Sequence, residues 1–280
     1  MPTHLSRASA ATAHAGLRRS PFAADHSTRQ QVRGGVAAQR PAVFGVRTMA
    51  ASEVVEGVAV VLLAGGVGSR MKADRPKQFL ELDGKPVLRH SLELFLRLKG
   101  INSITVVIAE EFRDVLADAA KADPRVQFAD PGKERQDSVF SGFCKIPEDS
   151  TLVCVHDAAR PLVTEAEVYN VIKDANEHGA AVLAVPMKAT VKESEDGQFV
   201  KRTIDRSTLW EIHTPQVMRP DLLKKGFAKV AAEKLEVTDD VSIIEQLPAP
   251  VKITVGEYTN IKLTTPEDMP MASSILAARK

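Results

Sequence analysis

The chain runs to 280 residues with 37 basic and 36 acidic side chains, 44% hydrophobic residues and two cysteines. So even a balance lacks the basic excess of a nucleic-acid binder, and two cysteines supply neither a disulfide framework nor a zinc module. No apolar run approaches the length of a membrane span or of a signal-peptide core.

The charges are unevenly spread. Residues 1–52 contain seven arginines, no lysine and one acid, Asp25, amid many Ala, Ser, Thr and His. Arg-rich, Ser-rich and acid-poor is the composition of an organelle transit peptide, chloroplast or mitochondrial. A disordered basic arm for nucleic acid is the alternative, and the scattering of the arginines weighs against it. The remaining 228 residues, 53–280, carry 30 basic and 35 acidic side chains. They suffice for one α/β domain with a sizeable core.

Gly57–Leu63 is a short, Val-rich apolar run that reads as a buried parallel strand. It empties into Ala64-Gly65-Gly66-Val67-Gly68, where small residues let the backbone approach a ligand. Arg70, Arg75 and Lys77 follow. A strand, a glycine loop and trailing cations suit a polyphosphate. The dinucleotide fingerprint would need glycine where Met71 stands, and the Gly-Lys-Ser/Thr of a P-loop is missing. An ordinary strand–helix turn, with glycines for packing, is the plainer reading.

Downstream, Val87–Leu98 is an amphipathic helix with apolar side chains at 88, 92, 95, 96 and 98, closed by Gly100. Strands are expected at Ile104–Ala109, Val126–Ala129, Thr151–Val155 and Ala180–Val185. Helices are expected at Glu111–Ala122, Ser138–Ile146 and Glu165–His178. This alternation implies a mostly parallel sheet wrapped by helices, with ligands at the carboxyl ends of its strands. Cys144 and Cys154 fall in a helix and a strand and read as free, buried thiols of a reducing compartment.

The loops at those carboxyl ends are chemically unusual. In Pro131–Ser138, Gly132 can bring the backbone close to a ring, and Ser138 either caps the next helix or bonds a ligand. In His156–Pro161, Asp157 can bond a hydroxyl or a metal and Arg160 can meet a phosphate; a salt bridge across the turn is the plainer reading. His156 reads as structural, since no Ser or Cys nucleophile pattern accompanies it. From Met187 to Thr214 the helical period disappears, and Glu195-Asp196-Gly197 marks a hairpin turn. So long an excursion calls for a partner, most simply a second copy, and Arg206 within it is either functional or a solvated cation. Thr238-Asp239-Asp240 opens a short helix. Lys262 follows a strand at Val251–Val255, beside a Thr-rich loop, with Pro266 starting the last helix; it can stabilise phosphate or be an ordinary surface lysine.

The stretches LAGGVGSRM, PKQF, GKERQDSV, HDAARP, TIDRSTLW, TPQ, VTDD and NIKLTTPED occur in that order across nearly all of residues 57–280. Together they resemble the 2-C-methyl-D-erythritol 4-phosphate cytidylyltransferase family of the non-mevalonate isoprenoid pathway, in its plant or algal plastid form. The resemblance implies a Rossmann-like, nucleotidyltransferase-type α/β fold, with residues 187–214 as a protruding β-arm for homodimerisation. It implies a transit peptide over 1–52, a plastid-stromal location, and a catalytic domain over 53–280. The substrates it implies are CTP and 2-C-methyl-D-erythritol 4-phosphate, with Mg²⁺ riding mainly on the nucleotide and Asp157 its nearest protein partner. By position, Ala64, Gly65, Gly66, Gly68, Gly132, Ser138 and Asp157 surround the nucleotide, while Arg70 and Lys77 lie on its triphosphate. Asp157, Arg160, Thr190, Thr214, Thr238 and Lys262 surround the sugar phosphate, and Arg206 arrives from the neighbouring subunit. A pentitol-phosphate cytidylyltransferase shares most of these motifs, and a nucleotide-binding protein without turnover is the rival of another class.

The chemistry agrees with the resemblance. A phosphate-monoester nucleophile is already anionic, so no general base is required, and the chain offers no convincing Ser–His–Asp or Cys–His set. Two polyanions must be brought together in line, and positive groups at 70, 77, 206 and 262 offset their repulsion.

Overall fold

An unbroken apolar strand must be covered on both faces, and such a strand stands in the interior of the sheet. The computed structural model describes residues 54–66, 75–237 and 239–280; the expected transit segment, Gly68, Arg70 and Thr238 lie outside them. β1 (Val58–Leu63) is followed, after a 3-10 turn at Lys77–Phe79, by a hairpin of β2 (Glu81–Leu82) and β3 (Lys85–Pro86). Then come α1 (Val87–Arg97), β4 (Ile101–Val107), α2 (Ala117–Ala122), β5 (Val126–Ala129), α3 (Arg135–Phe143) and β6 (Leu152–Asp157). α4 (Glu165–His178) and β7 (Ala180–Pro186) lead to a second hairpin, β8 (Lys192–Glu193) and β9 (Arg202–Thr203). The chain ends with β10 (Trp210–Met218), α5 (Pro220–Glu233), α6 (Asp240–Glu245), β11 (Lys252–Val255) and α7 (Asp268–Ala278).

Seven strands form the main sheet in the order β11-β7-β10-β6-β1-β4-β5. Every neighbour pairs in parallel except β10, which runs antiparallel between β6 and β7. Alternate residues of β1 serve two apolar layers. Val58, Val60 and Leu62 join Leu92 and Phe95 of α1 and Val171 of α4 in one. Val61 joins Val139 of α3, Leu223 of α5 and Ile244 of α6 in the other. Both faces are therefore sealed, and the carboxyl edge of the sheet is left for ligands.

Several expected elements need correction. The stretch expected as one helix from Glu111 begins as a 3-10 segment, Glu110–Leu116, before α2. α3 starts at Arg135 rather than Ser138, because Glu134 caps it in a reciprocal pair with Asp137. Ser138 is thus inside the first turn and does not cap the helix. The excursion closes at Leu209, not Thr214: residues 210–214 already belong to β10. Trp210, Glu211 and Ile212 are not buried and Pro215 stands inside the strand, which hides it from sequence patterning. α5 was not expected; Pro220 at its first position starts it. Cys144 is exposed, and only Cys154 is buried, where burial pushes its thiol upward.

Candidate active site

β1 and β6 lie side by side where the chain's progression across the sheet reverses, the place where open α/β sheets bind ligands. Two cavities open there. The first, of about 410 Å³, is lined by Gly65 and Gly66 after β1, Lys77, the Gly132 loop after β5, and Ser138 of α3. The second, of about 550 Å³, is lined by Arg160, His213, Thr214, Gln216 and residues of α6 and β11. Arg135, Asp157 and Lys262 line both.

Asp157 ends β6 and is the hinge between the cavities. Its Oδ2 accepts from Lys262 Nζ at 2.6 Å, and its Oδ1 from Arg135 Nη2 at 3.1 Å. Burial would raise this carboxyl, but the Arg135 guanidinium and Lys262 ammonium outweigh it and hold it well below the usual carboxylate range. Arg135 also forks onto Asp240, the first residue of α6, with Nη2 2.9 Å from Oδ2. Asp240 is only 1% exposed, so the fork compensates a carboxylate otherwise stripped of water.

A second set of bonds fixes the backbone under Asp157. The Asp157 N–H donates to Thr214 Oγ1 at 3.1 Å, and the Thr214 hydroxyl meets His156 Nδ1 at 3.0 Å. His156 Nε2 faces the Arg160 carbonyl at 3.2 Å. A carbonyl only accepts, so Nε2 carries the proton and Nδ1 accepts from Thr214. Burial pushes this imidazole down to about 4, which keeps it neutral. The structural reading of His156 holds. Thr214 reaches this place because β10 bulges between Ile212 and Gln216 while β7 advances only from Ala184 to Val182.

Arg160 is 8% exposed and donates to the carbonyls of Asn260 (2.7 Å) and Ile212 (3.3 Å). Its Nε is buried with no hydrogen-bond partner among the described residues, and burial lowers its basicity. Ser138 Oγ accepts the Gly132 N–H at 3.0 Å and donates to the Glu134 carbonyl, tying loop to helix. Gly132 is required: a Cβ there would lie 2.1 Å from Asp137 Cβ.

Of the expected site residues, Ala64, Gly65, Gly66, Lys77, Gly132, Ser138, Asp157, Arg160, Thr214 and Lys262 gather at this edge. Thr190 and Arg206 do not. Thr190 is exposed, and Arg206, on a 3-10 turn, donates to the Lys188 carbonyl; neither lines either cavity. Gly68, Arg70 and Thr238 lie outside the described residues. Sequence reasoning missed Arg135, Asp240 and Gln78, although each stands inside a motif that pointed here. Their partners lie 12 to 105 residues away, which no local spacing reveals.

Among the described residues no group of three or more His, Cys, Asp or Glu could cage a metal. One carboxylate, Asp157, faces both cavities. That donor set fits a hard cation held mainly by substrate phosphates.

A sheet with one inserted antiparallel strand, a glycine loop at the switch point and lysines facing one cavity define a nucleotidyltransferase. The family model "IspD: 2-C-methyl-D-erythritol 4-phosphate cytidylyltransferase" matches residues 58–278. The chain is 53% identical over 220 residues to the chloroplastic 2-C-methyl-D-erythritol 4-phosphate cytidylyltransferase of Oryza sativa, covering 78% of this chain and 74% of the rice protein. It is 39% identical to the enzyme of that name from Desulforamulus reducens, over 79% of this chain and 97% of that one. The crystal structure of 4-diphosphocytidyl-2C-methyl-D-erythritol synthase from Anaerococcus prevotii superposes with a TM-score of 0.71 at 30% identity, covering 79% and 96% of the two chains. The chain belongs to the 2-C-methyl-D-erythritol 4-phosphate cytidylyltransferase family.

Proposed function

We propose that the chain transfers CMP from CTP to 2-C-methyl-D-erythritol 4-phosphate, giving 4-diphosphocytidyl-2-C-methyl-D-erythritol and pyrophosphate. The observation that carries this reading is the pair of cavities sharing Asp157, Lys262 and Arg135. One has a glycine loop and Lys77 for a nucleotide; the other has a buried arginine for a second anion.

The nucleotide rests on Ala64–Gly68, Gly132 and Ser138, with Arg70 and Lys77 on its triphosphate. The sugar phosphate takes Asp157, Arg160, Thr190, Thr214, Thr238 and Lys262. A phosphate oxygen of the acceptor attacks the α-phosphorus, the bond to the bridging oxygen breaks, and pyrophosphate leaves with the electron pair. The nucleophile is already ionised near neutral pH, so no side chain need remove a proton. Lys77 and Lys262 offset the repulsion between the two polyanions and the charge shed onto pyrophosphate. Asp157, held ionised by Lys262 and Arg135, accepts from acceptor hydroxyls and orients the ammonium of Lys262. Asp157 would help hold a Mg²⁺ ion brought in on the triphosphate, and the ion would supply charge neutralisation there.

The excursion from β7 to β10 embraces a second copy of the chain and brings Arg206 and Thr190 to that copy's sugar phosphate. Its tip supports this reading, since Phe199 and Val200 are 75% and 63% exposed. Residues 1–52 address the enzyme to the plastid stroma, in keeping with the chloroplastic rice relative. A chain starting at Val54 then keeps full activity, while a reporter fused behind 1–52 enters plastids.

The test is pyrophosphate release from CTP, with and without methylerythritol phosphate, and with ribitol 5-phosphate for comparison. Release is expected only with the acceptor and fastest with methylerythritol phosphate. Preference for ribitol phosphate, or no release, overturns the reading.

A further inference from the structure

Gln78 is 3% exposed and sits next to Lys77, yet it belongs to no role above. Its side-chain Nε2 donates to the Ala64 carbonyl at 2.6 Å and to the Gly66 carbonyl at 2.9 Å. One amide thus grips both ends of the described part of the glycine loop. A trans peptide sets its C=O and N–H on opposite sides, so holding the Ala64 carbonyl turns the Gly65 N–H away from Gln78.

The loop is wedged from another side too. A Cβ on Gly65 would lie 2.4 Å from Pro131 Cβ, on the loop that carries Gly132. Before it, the Ala64 N–H is tied to the Val107 carbonyl at 2.8 Å, in line with the sheet. Gln78 itself is anchored through its neighbour: Phe79 is buried and stacks on Phe112 with ring centroids 4.4 Å apart. The 3-10 turn Lys77–Phe79 therefore sets Phe79 in the core and Gln78 on the loop, and Lys77 and Gln78 both line the cavity.

We infer that Gln78 is a positioning residue that sets the loop's peptides and the Lys77 ammonium in one fixed register toward the nucleotide. This rests on the reading that the loop cavity takes CTP. A glycine loop has no side chains of its own to hold it, and its carbonyls would otherwise be free to rotate toward the phosphates. Such rotation would present oxygen to an anion and cancel the benefit of the N–H groups.

The variants that test it are Gln78→Met, which keeps the length without a donor, and Gln78→Glu, which sets a carboxylate against two carbonyls. CTP affinity is read by calorimetry with Mg²⁺ present, alongside kcat and the KM for methylerythritol phosphate. Gln78→Met should weaken CTP about ten- to a hundred-fold, the weight of two hydrogen bonds, and lower kcat. Gln78→Glu should be worse. The acceptor KM should stay within about two-fold in both, a split that general loosening would not produce. Unchanged CTP affinity, an equal loss for both substrates, or failure of both variants to fold would overturn the inference. A wild-type chain that binds CTP but releases no pyrophosphate would break the activity reading alone, and the calorimetry would still decide Gln78.

Discussion

At the carboxyl edge of the sheet, Asp157, Asp240, Arg160 and His156 are all less than 9% exposed, and each is fixed by a partner from a distant element. The excursion between β7 and β10 is the reverse. Among the described residues its short strands β8 and β9 pair only with each other, its ion pairs such as Lys201–Glu195 lie in water, and its apolar tip is exposed. Both regions carry charge proposed for one reaction. At the edge, desolvation makes charge strong and its geometry rigid, so the site can be built in advance. In the excursion the same charges are screened and worth little until something covers them. On the proposed reading, Arg206 would gain catalytic weight only once a second surface closes over it.

Four experiments press on that contrast. The largest effect is expected at the edge. Lys77→Ala should lower kcat by roughly 100- to 1,000-fold, the scale for losing one preorganised charge, with the thermal transition little changed. A near-normal kcat would remove Lys77 from the mechanism.

His156 reports on desolvation directly. The unfolded imidazole takes a proton below its ordinary 6.5, the folded one only below about 4. Between those values the unfolded state binds more protons, so stability falls as pH drops through that window. The full loss is on the order of 3 kcal/mol for this wholly buried group. The difference in unfolding free energy between wild type and His156→Gln should slope across pH 4–6.5 and be flat above it. A difference independent of pH would mean that the ring titrates normally.

Arg135→Met leaves the Asp240 carboxylate buried without its cation. The cost should be about 2–3 kcal/mol, less than for a fully buried pair because the Arg135 side chain is 31% exposed. Denaturant melts measure it, and adding Asp240→Asn should recover part of the loss. Additive costs in the double variant would argue that the two groups are not coupled.

The smallest effect is expected in the excursion. Arg206→Ala should raise the KM for methylerythritol phosphate about tenfold, the weight of one charge-assisted contact, with CTP affinity unchanged. Mixing Arg206→Ala with Lys77→Ala chains sharpens the comparison. Heterodimers carry one site with both residues intact, so at acceptor concentrations well below KM their activity should exceed that of either variant alone; confirmed heterodimers without that gain would place Arg206 in its own chain's site.

The sequence alone determined the parts governed by local physics. The short, Val-rich run Val58–Leu63 reads as a strand buried on both faces, and the apolar spacing within Val87–Leu98 reads as an amphipathic helix, and both form there. Ordered motifs likewise marked which loops carry chemistry, and most of the expected residues do meet at the carboxyl edge. What only the tertiary structure decided are the relations across sequence distance. β10 enters the sheet antiparallel although its first three residues are not buried, because β6 and β7 offer it unpaired backbone on both sides. Arg135 finds Asp240 105 positions away, and Lys262 finds Asp157 at the same separation. Gln78 holds a loop 12 to 14 positions before it. An arginine, a glutamine or a lysine is written alike whether it faces water or a buried carboxylate. Only the fold, by removing the water, makes the difference.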